Sequence, residues 1–231
     1  MKKKSKRFKK ILETRKTPRD KSIKVDEVIE NIKNNCTTKF DESIDVSLRI
    51  NLKQSKGGDL NLRTVIKLPN GSGKKVKVGV LCENDKIEDA KNSGADVFGA
   101  DDLLEKISQG KLNFTKLICT PGMMSKIGKF GKILGPKGLM PNPKLGTVSN
   151  DIKKSVSDIK NGLIELKNDK DGNLGASIGR KSYSKEKLLQ NFNFFIESLK
   201  KEKPDTIKGE FIKNIYLTST MGISYKTSLK G

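Results

Sequence analysis

A glycine- and proline-rich segment at 128–149 constrains the fold of this chain more than any other part of the sequence. Its five glycines and three prolines are typical of a disordered linker. The segment also interleaves four large apolar side chains with four lysines: Ile133, Leu134, Leu139 and Met140 with Lys129, Lys132, Lys137 and Lys144. A linker has no need of apolar pairs. The pattern therefore predicts an ordered basic loop, with a flexible, solvated connection as the alternative.

The chain as a whole is strongly basic, with 48 lysines and arginines against 27 acidic residues and a formal net charge of +21. The excess positive charges repel one another, so we expect a polyanionic partner that neutralises them. A membrane is disfavoured because no apolar run approaches the roughly 18 residues of a bilayer span. The chain also lacks tryptophan, so no helix pairs a Trp-rich face with a basic one. Nucleic acid is the favoured partner.

The first 24 residues hold twelve lysines or arginines against Glu13 and Asp20. We expect a basic arm that lies on nucleic acid, with a solvated tail as the alternative. No apolar segment suits a secretory signal, and a transit peptide would be amphipathic and rich in serine. The auxiliary basic contacts expected in the arm and in the 128–149 segment are Lys6, Arg7, Lys10, Lys132, Lys137 and Lys144.

The residue inventory limits an enzyme to carboxylate, lysine or cofactor chemistry. The chain contains no histidine, which removes Ser-His-Asp and Cys-His chemistry and His-ligated zinc. Cys36, Cys82 and Cys119 are odd in number and far apart, so buried free thiols in a reducing compartment are favoured over a disulfide or a metal site. We predict no catalytic residue, no metal ligand, no cofactor and no small-molecule substrate.

Periodicity indicates antiparallel sheet at both ends of the chain. Near the N-terminus it predicts a helix at 25–35, a strand with one wet face at 44–52 and, after Gly57-Gly58, a partner strand at 62–68. Beyond Gly162 it predicts strands at 163–166 and 174–178 joined by a hairpin at Asp171-Gly172, a helix at 185–201 and a last strand at 211–218.

The middle of the chain has a different pattern. Strands at 76–82, 96–99 and 116–120 alternate with helices at 85–93 and 101–109, and another helix starts at Pro121. Such alternation indicates a parallel sheet wrapped by helices. The predicted fold is therefore α/β (α+β): a discontinuous domain of antiparallel sheet and helices at 1–69 and 161–231, with a Rossmann-like α/β domain at 70–160 inserted. Two chain crossings, near 69 and 161, would form a hinge.

Several short motifs leave alternatives open. Residues 70–75 resemble the end of a P-loop, but Leu68 and Lys75 break the pattern. Residues 127–131 resemble the Gly-x-x-Gly clamp with which KH domains hold single-stranded RNA, a weak signal. Phe40 is either a stacking platform or a core residue, and the hydroxyl-rich run at 218–222 is either an RNA contact or an ordinary edge strand.

Four motifs together carry a specific resemblance to a known family. They are the stretch from Gly131 to Val148, Lys39-Phe40-Asp41-Glu42, Asn168-Asp169-Lys170 and Thr220-Met221-Gly222. They resemble the family of the first protein of the large ribosomal subunit, which builds the mobile side stalk. The likeness runs from residue 6 almost to the end and is bacterial in type, so we expect no removable presequence and a cytoplasmic, ribosomal location.

The resemblance implies a two-domain, non-catalytic protein that acts as a monomer within the ribosome. In this family the discontinuous domain binds large-subunit rRNA, the inserted domain moves with the stalk that releases deacylated tRNA from the exit site, and bacterial members repress translation of their own operon mRNA. The rRNA-binding residues implied by position are Lys39, Phe40, Ser43, Thr218, Ser219, Thr220, Met221 and Gly222, with Asn168, Asp169 and Lys170 expected near that surface.

Two departures from the family pattern affect these expectations. Residues 175–180 read Gly-Ala-Ser-Ile-Gly-Arg, where the family usually has His-x-Pro-Val-Gly-Lys, so an RNA contact there is not carried over. Arg63-Thr64 replaces the usual Arg-Gly, which we expect to stiffen the hinge.

Overall fold

The computed structural model describes residues 5–13, 21–51, 62–204, 207 and 209–228. The strands are β1 Ser43–Ile50, β2 Arg63–Lys67, β3 Val78–Leu81, β4 Val97–Gly99, β5 Lys116–Cys119, β6 Leu163–Lys167, β7 Asn173–Arg180, β8 Ile212–Ser219 and β9 Tyr225–Thr227. The α-helices are α1 Lys6–Glu13, α2 Val25–Asn35, α3 Ile87–Asn92, α4 Asp101–Ser108, α5 Met124–Gly128, α6 Gly131–Leu134, α7 Ile152–Lys160 and α8 Lys185–Lys201. The bounds of α2 and α8 are those predicted.

The chain divides into two compact units. Unit 1 joins Met1–Gly73 to Ile164–Gly231, and unit 2 is Lys74–Leu163. An antiparallel sheet of order β7-β1-β8-β9 belongs to unit 1, and a parallel sheet of order β4-β3-β5 belongs to unit 2. The predicted fold class is confirmed, whereas the predicted domain limits, 1–69 and 161–231 against 70–160, stay a prediction.

The core of unit 1 lies on one face of its four-stranded sheet. Alternate residues of β1, among them Ile44, Val46 and Leu48, are buried together with apolar side chains of α2 and α8. Phe195 of α8 and Ile29 of α2 are completely buried in this cluster. Period-2 strands and period-3.6 helices each turn one apolar side to this layer. The opposite face of the sheet carries the polar half of each strand.

The central strand of the parallel sheet in unit 2, β3, is covered on both faces and is buried at every position. Helices α4 and α5 contribute to the cluster on one face, and α3 and α7 contribute to the cluster on the other. All three cysteines of the chain are buried free thiols, as predicted. Burial raises the pKa of the Cys119 thiol to about 12, which keeps it protonated and unreactive.

The glycine- and proline-rich segment at 128–149 is ordered, which confirms the prediction for it. Helix α6 and a 3-10 helix at Pro143–Leu145 lie within it, and Leu134 and Leu139 are buried. The Asn142 side chain accepts a hydrogen bond from the Lys144 amide at 2.9 Å, and Gly146 has a φ of +67°. Apolar anchors thus fix the loop, and its four lysines, 129, 132, 137 and 144, point to solvent.

Two predicted strand pairings are wrong. Among the described residues, β2 pairs with β6 and not with β1, because β7 and β8 occupy the two edges of β1. The chain does reverse at Asp171-Gly172, but β6 and β7 enter different sheets and form no hairpin. Residues 70–75 lead into β3 and not into a helix, which agrees with the sequence argument against a P-loop from Leu68 and Lys75. Position 52 and the Gly57-Gly58 turn lie outside the described residues.

One buried amide ties α8 to the loop that follows Leu68. Asn191 is fully buried, and its Oδ1 accepts a hydrogen bond from the Asn70 amide at 3.1 Å. Its Nδ2 donates to the Gly71 and Ile178 carbonyl oxygens at 3.0 and 2.7 Å. The side chain therefore satisfies three backbone groups that water does not reach freely.

We predict that Asn191→Leu lowers the free energy of unfolding by about 2–4 kcal/mol, because it leaves those backbone groups without a partner. Urea unfolding followed by circular dichroism measures the change. Asn193→Leu, the same substitution on the exposed side of α8, is the control and should stay within about 0.5 kcal/mol of wild type. Equal effects of the two substitutions would contradict this account.

Candidate RNA-binding surface

The start of β1 and the end of β8 form one surface. Their antiparallel register pairs Ile44 with Ser219 and Asp45 with Thr218. Beyond this pairing, the Ser43 amide donates to Thr220 Oγ1 at 3.0 Å, and the Thr220 amide donates to the Ser43 carbonyl at 3.1 Å. We call residues 39–43 and 218–222 the β1–β8 junction. The structure thus brings together two segments that are 177 positions apart in the chain.

Two large apolar side chains project from the junction. Phe40 is 52% exposed and Met221 is 48% exposed, and neither is covered by the core. Lys39 is exposed beside them. An exposed phenylalanine next to a lysine provides a stacking surface and a charge for one nucleotide. The sequence left open whether Phe40 is a stacking platform or a core residue. The structure places its side chain outside the core.

Helix α1 reaches the same junction. Arg7 donates to the Met221 carbonyl at 2.8 Å and to Thr37 Oγ1 at 3.2 Å. Ile11 of the helix is buried in the core of unit 1, and Phe8 packs against that core. Within the predicted arm, residues 6–13 therefore form an anchored helix, with Lys6 and Lys10 exposed on it. Positions 1–4 and 14–20 lie outside the described residues.

A buried carboxylate holds the junction from beneath. Glu42 has no exposed surface; its Oε2 accepts a hydrogen bond from the Met221 amide at 3.1 Å and its Oε1 accepts one from Thr38 Oγ1 at 2.7 Å. Burial alone raises the pKa of Glu42, but hydrogen bonds from Thr38, Met221 and Ser219 outweigh it and lower that pKa below the ordinary 4.5. Glu42 is thus a buried anion that joins the two segments.

Glu42 and Ser219 change the predicted set of residues. The sequence reasoning missed Glu42, although the alternation that buries Ile44 and Val46 also points position 42 inward. Ser219 was predicted to contact RNA, but its side chain is only 3% exposed and it hydrogen-bonds Glu42. Its role in the junction is therefore support from below and not contact through its side chain.

Residues 180–182 brace the other side of the junction. The Arg180 guanidinium donates to the Asp41 carbonyl at 2.9 Å, and Ser182 donates to the Asp41 carboxylate through its amide and its hydroxyl. The Lys181 amide donates to the Glu42 carbonyl at 2.8 Å. These bonds fix the backbone immediately before Ser43, which keeps Phe40 at the edge of the sheet.

The turn at 168–170 lies at the wrong end of β1 for the predicted surface. Asn173 pairs with Arg49, and the Ile50 amide donates to the Gly172 carbonyl, whereas Ser43 begins the strand. Six residues of strand separate the two ends by about 20 Å. The structure therefore places Asn168, Asp169 and Lys170 at the opposite end of β1 from the junction, and contact of these residues with rRNA stays a prediction.

The side chains of this turn are used to build it. Asn168 accepts from the Leu62 amide at 2.6 Å and donates to the Asp169 carbonyl. The Asp169 carboxylate accepts from the Asn173 side chain and amide, and these bonds lower its pKa. Lys170 is exposed at the tip.

Comparison with known proteins identifies the family. A family model described as "Ribosomal protein L1p/L10e family" matches residues 21–223. The chain belongs to this family. It is similar to the large ribosomal subunit protein uL1 of Pelagibacter ubique (strain HTCC1062), at 55% identity over 226 residues and 97% of each chain. The uL1 proteins of Kosmotoga olearia (45% identity, 96% of each chain) and Rickettsia canadensis (42%, covering 96% of this chain and 92% of the relative) are also similar.

Membership of the L1p/L10e family confirms the family resemblance and the expected ribosomal, cytoplasmic location. The relatives are named as ribosomal proteins and not as enzymes. Within the described part of the chain, no helix has the length and apolar character needed to cross a bilayer.

We predict that Glu42→Gln lowers the free energy of unfolding by about 1–3 kcal/mol near neutral pH, because an amide cannot accept all the hydrogen bonds that the carboxylate accepts. The folded-state pKa is lowered, so the stabilisation by Glu42 is complete above the unfolded-state value and is lost as pH falls through the folded-state value. The difference between wild type and variant should therefore be constant above about pH 5.5 and shrink in more acidic buffer.

Urea unfolding at several pH values measures this difference. Glu197→Gln, at an exposed position of α8, is the matched control and should track wild type throughout. A Glu42→Gln deficit that persists unchanged to pH 3 would show that the charge of the carboxylate is not what stabilises the junction.

Proposed function

We propose that this chain is a structural constituent of the large ribosomal subunit and binds large-subunit rRNA through the β1–β8 junction. The observation that carries the proposal is the pairing of Ser43 with Thr220, which joins the two segments that carry the exposed side chains of Phe40 and Met221. Family membership and the net charge of +21 support it independently.

In this proposal the junction supplies shape and the lysines supply attraction. Phe40 stacks on a base or sugar, and Met221 fills an apolar contact beside it. Lys39, Thr218 and the backbone around Gly222 meet phosphates and ribose hydroxyls, while Thr220, Ser219 and Glu42 hold these groups in place. The exposed lysines of α1 and of the 128–149 loop add salt-dependent attraction that does not depend on sequence.

The family also suggests two finer roles, which we propose for this chain. The first is assistance in the release of deacylated tRNA from the exit site, by movement of an inserted domain at 70–160 against the rRNA-bound domain at 1–69 and 161–231. The second is repression of its own operon mRNA, through a leader segment that mimics the rRNA site. In both roles the chain acts as a monomer within the ribosome. Neither role needs a catalytic residue, a cofactor, a membrane or a small-molecule substrate.

We predict that Phe40→Ala weakens binding to a large-subunit rRNA transcript by between about 5-fold and 150-fold, the usual range for loss of one stacked base. Met221→Ala and Thr220→Val should each cost about tenfold or more, the latter because Ser43 loses its hydroxyl partner. Filter binding at constant salt measures these affinities.

Phe194→Ala is the control, because Phe194 is an equally bulky side chain, 41% exposed, that belongs to α8 and not to the junction. Its affinity should equal that of wild type. Losses of the same size for Phe40→Ala and Phe194→Ala would contradict the assignment. Tighter binding of wild type to an unpaired oligomer than to the folded transcript would instead favour a KH-like single-strand binder.

We predict that the junction and the lysines differ in their salt dependence. If Lys10 contacts a phosphate, Lys10→Ala should reduce the slope of log affinity against log salt concentration by about 0.9. This is the value for one phosphate contact on duplex DNA. Met221→Ala should leave the slope unchanged while lowering affinity at every salt concentration. Identical slopes for all variants would contradict the division between shape and charge.

The two finer roles have separate tests. The operon leader transcript should compete with the rRNA transcript for one site, and Met221→Ala should weaken both complexes equally. Ribosomes that lack the chain should release deacylated tRNA from the exit site more slowly. Absence of competition would remove the repressor role, and unchanged release would remove the tRNA role, without affecting rRNA binding.

A further inference from the structure

The four-stranded sheet of unit 1 has an outer face that the core does not use. Helices α2 and α8 contribute to the core on the other face, so every second residue of the strands turns outward. The outward residues are Asp45, Ser47, Arg49, Asn173, Gly175, Ser177, Asn214, Tyr216, Thr218 and Lys226. We call this set the outer face. It contains one aromatic residue and no aliphatic one.

An open trough lies beside that aromatic residue. The register places Tyr216 of β8 opposite Ser47 of β1, and Ser47 opposite Gly175 of β7. The two neighbours of the tyrosine ring in this cross-strand row are therefore small residues. A Cβ added at Gly175 would meet no atom within 4 Å, and both Ser47 and Gly175 are exposed. With strands about 4.8 Å apart, the trough is wide enough for a planar ring lying against Tyr216.

Cationic side chains flank the ring. Lys226 is the direct cross-strand partner of Tyr216, and Arg49 lies on the diagonal, within reach of long side chains. Asp45 is the one carboxylate on the outer face, so the face carries a net positive charge. Thr218 belongs both to the outer face and to the β1–β8 junction, so the two surfaces are continuous.

We propose that the outer face binds an unpaired nucleotide of the large-subunit rRNA. The base stacks on Tyr216 over Ser47 and Gly175, Arg49 and Lys226 hold its flanking phosphates, and Asp45 accepts a hydrogen bond from a base amino group or a 2′-hydroxyl. An aromatic platform with flanking cations suits a free base, because a paired base has no exposed ring face. This inference rests on the proposed function, since it extends the same RNA beyond the junction.

Two substitutions test it without touching the core. Tyr216→Ser removes the ring, and Gly175→Val fills the trough at a position with open space and no positive φ. Each should weaken binding of the full-length chain to a large-subunit rRNA transcript by between about 5-fold and 150-fold. Tyr216→Phe keeps the ring and should bind as wild type does. Urea unfolding midpoints check that Gly175→Val still folds; if it does not, Tyr216→Ser carries the test.

A cross-linking experiment identifies the contact directly. The same transcript, made with 4-thiouridine and irradiated in the complex, should attach to the ring of Tyr216, with the linked residue assigned by fragmentation of the peptide. Normal affinity of both variants with no cross-link to Tyr216, Ser47 or Gly175 would overturn the inference and leave rRNA binding through the junction intact. Failure of wild type to bind the transcript would overturn the proposed function and, with it, this extension.

Discussion

The antiparallel pairing of β1 with β8 is the interaction on which the rest of unit 1 depends. Unit 2 lies between these strands in the sequence, yet they pair in the middle of one sheet. Their register sets which residues reach the edge, and α2 and α8 fix it by burying Ile44, Val46 and Leu48 on one side. Because a slip of one residue would turn every side chain to the other face, the core determines that Ser43 meets Thr220 and that Phe40 and Met221 remain outside.

The electrostatics of this surface combine opposite charges at different depths. The chain is strongly basic, yet the group beneath its junction is the anionic Glu42, held by neutral donors. Burying a carboxylate is costly unless hydrogen bonds compensate for lost water, and the lowered pKa of Glu42 indicates that they do. An anion near a nucleic-acid surface does not attract phosphate, so its contribution is geometric. Attraction is left to exposed lysines, which can vary without changing the shape of the junction.

Local sequence patterns predicted the helices and strands well, but they did not predict which strands pair with one another. The helical period fixed both ends of α2 and α8, and apolar anchors predicted order in the 128–149 loop. The partner of β2, the separation of β6 from β7 and the distance of Asn168 from the junction could not be predicted, because a strand pattern does not specify its neighbour. Glu42 and Ser219 were misjudged for a related reason. Polar residues at inward positions read as surface residues until the groups that satisfy them are known.

Hydroxyl-radical footprinting with mass spectrometry tests the central claim most directly, because it reads exposed aromatic and sulfur side chains one by one. Oxidation of Phe40, Met221 and Phe194 would be compared with and without a large-subunit rRNA transcript, since all three are exposed in the free chain. The account predicts that the transcript protects Phe40 and Met221 together, at the same RNA concentration, and leaves Phe194 unchanged. Protection of only one of the pair, or of Phe194 to the same extent, would contradict a single recognition surface built from both ends of the chain.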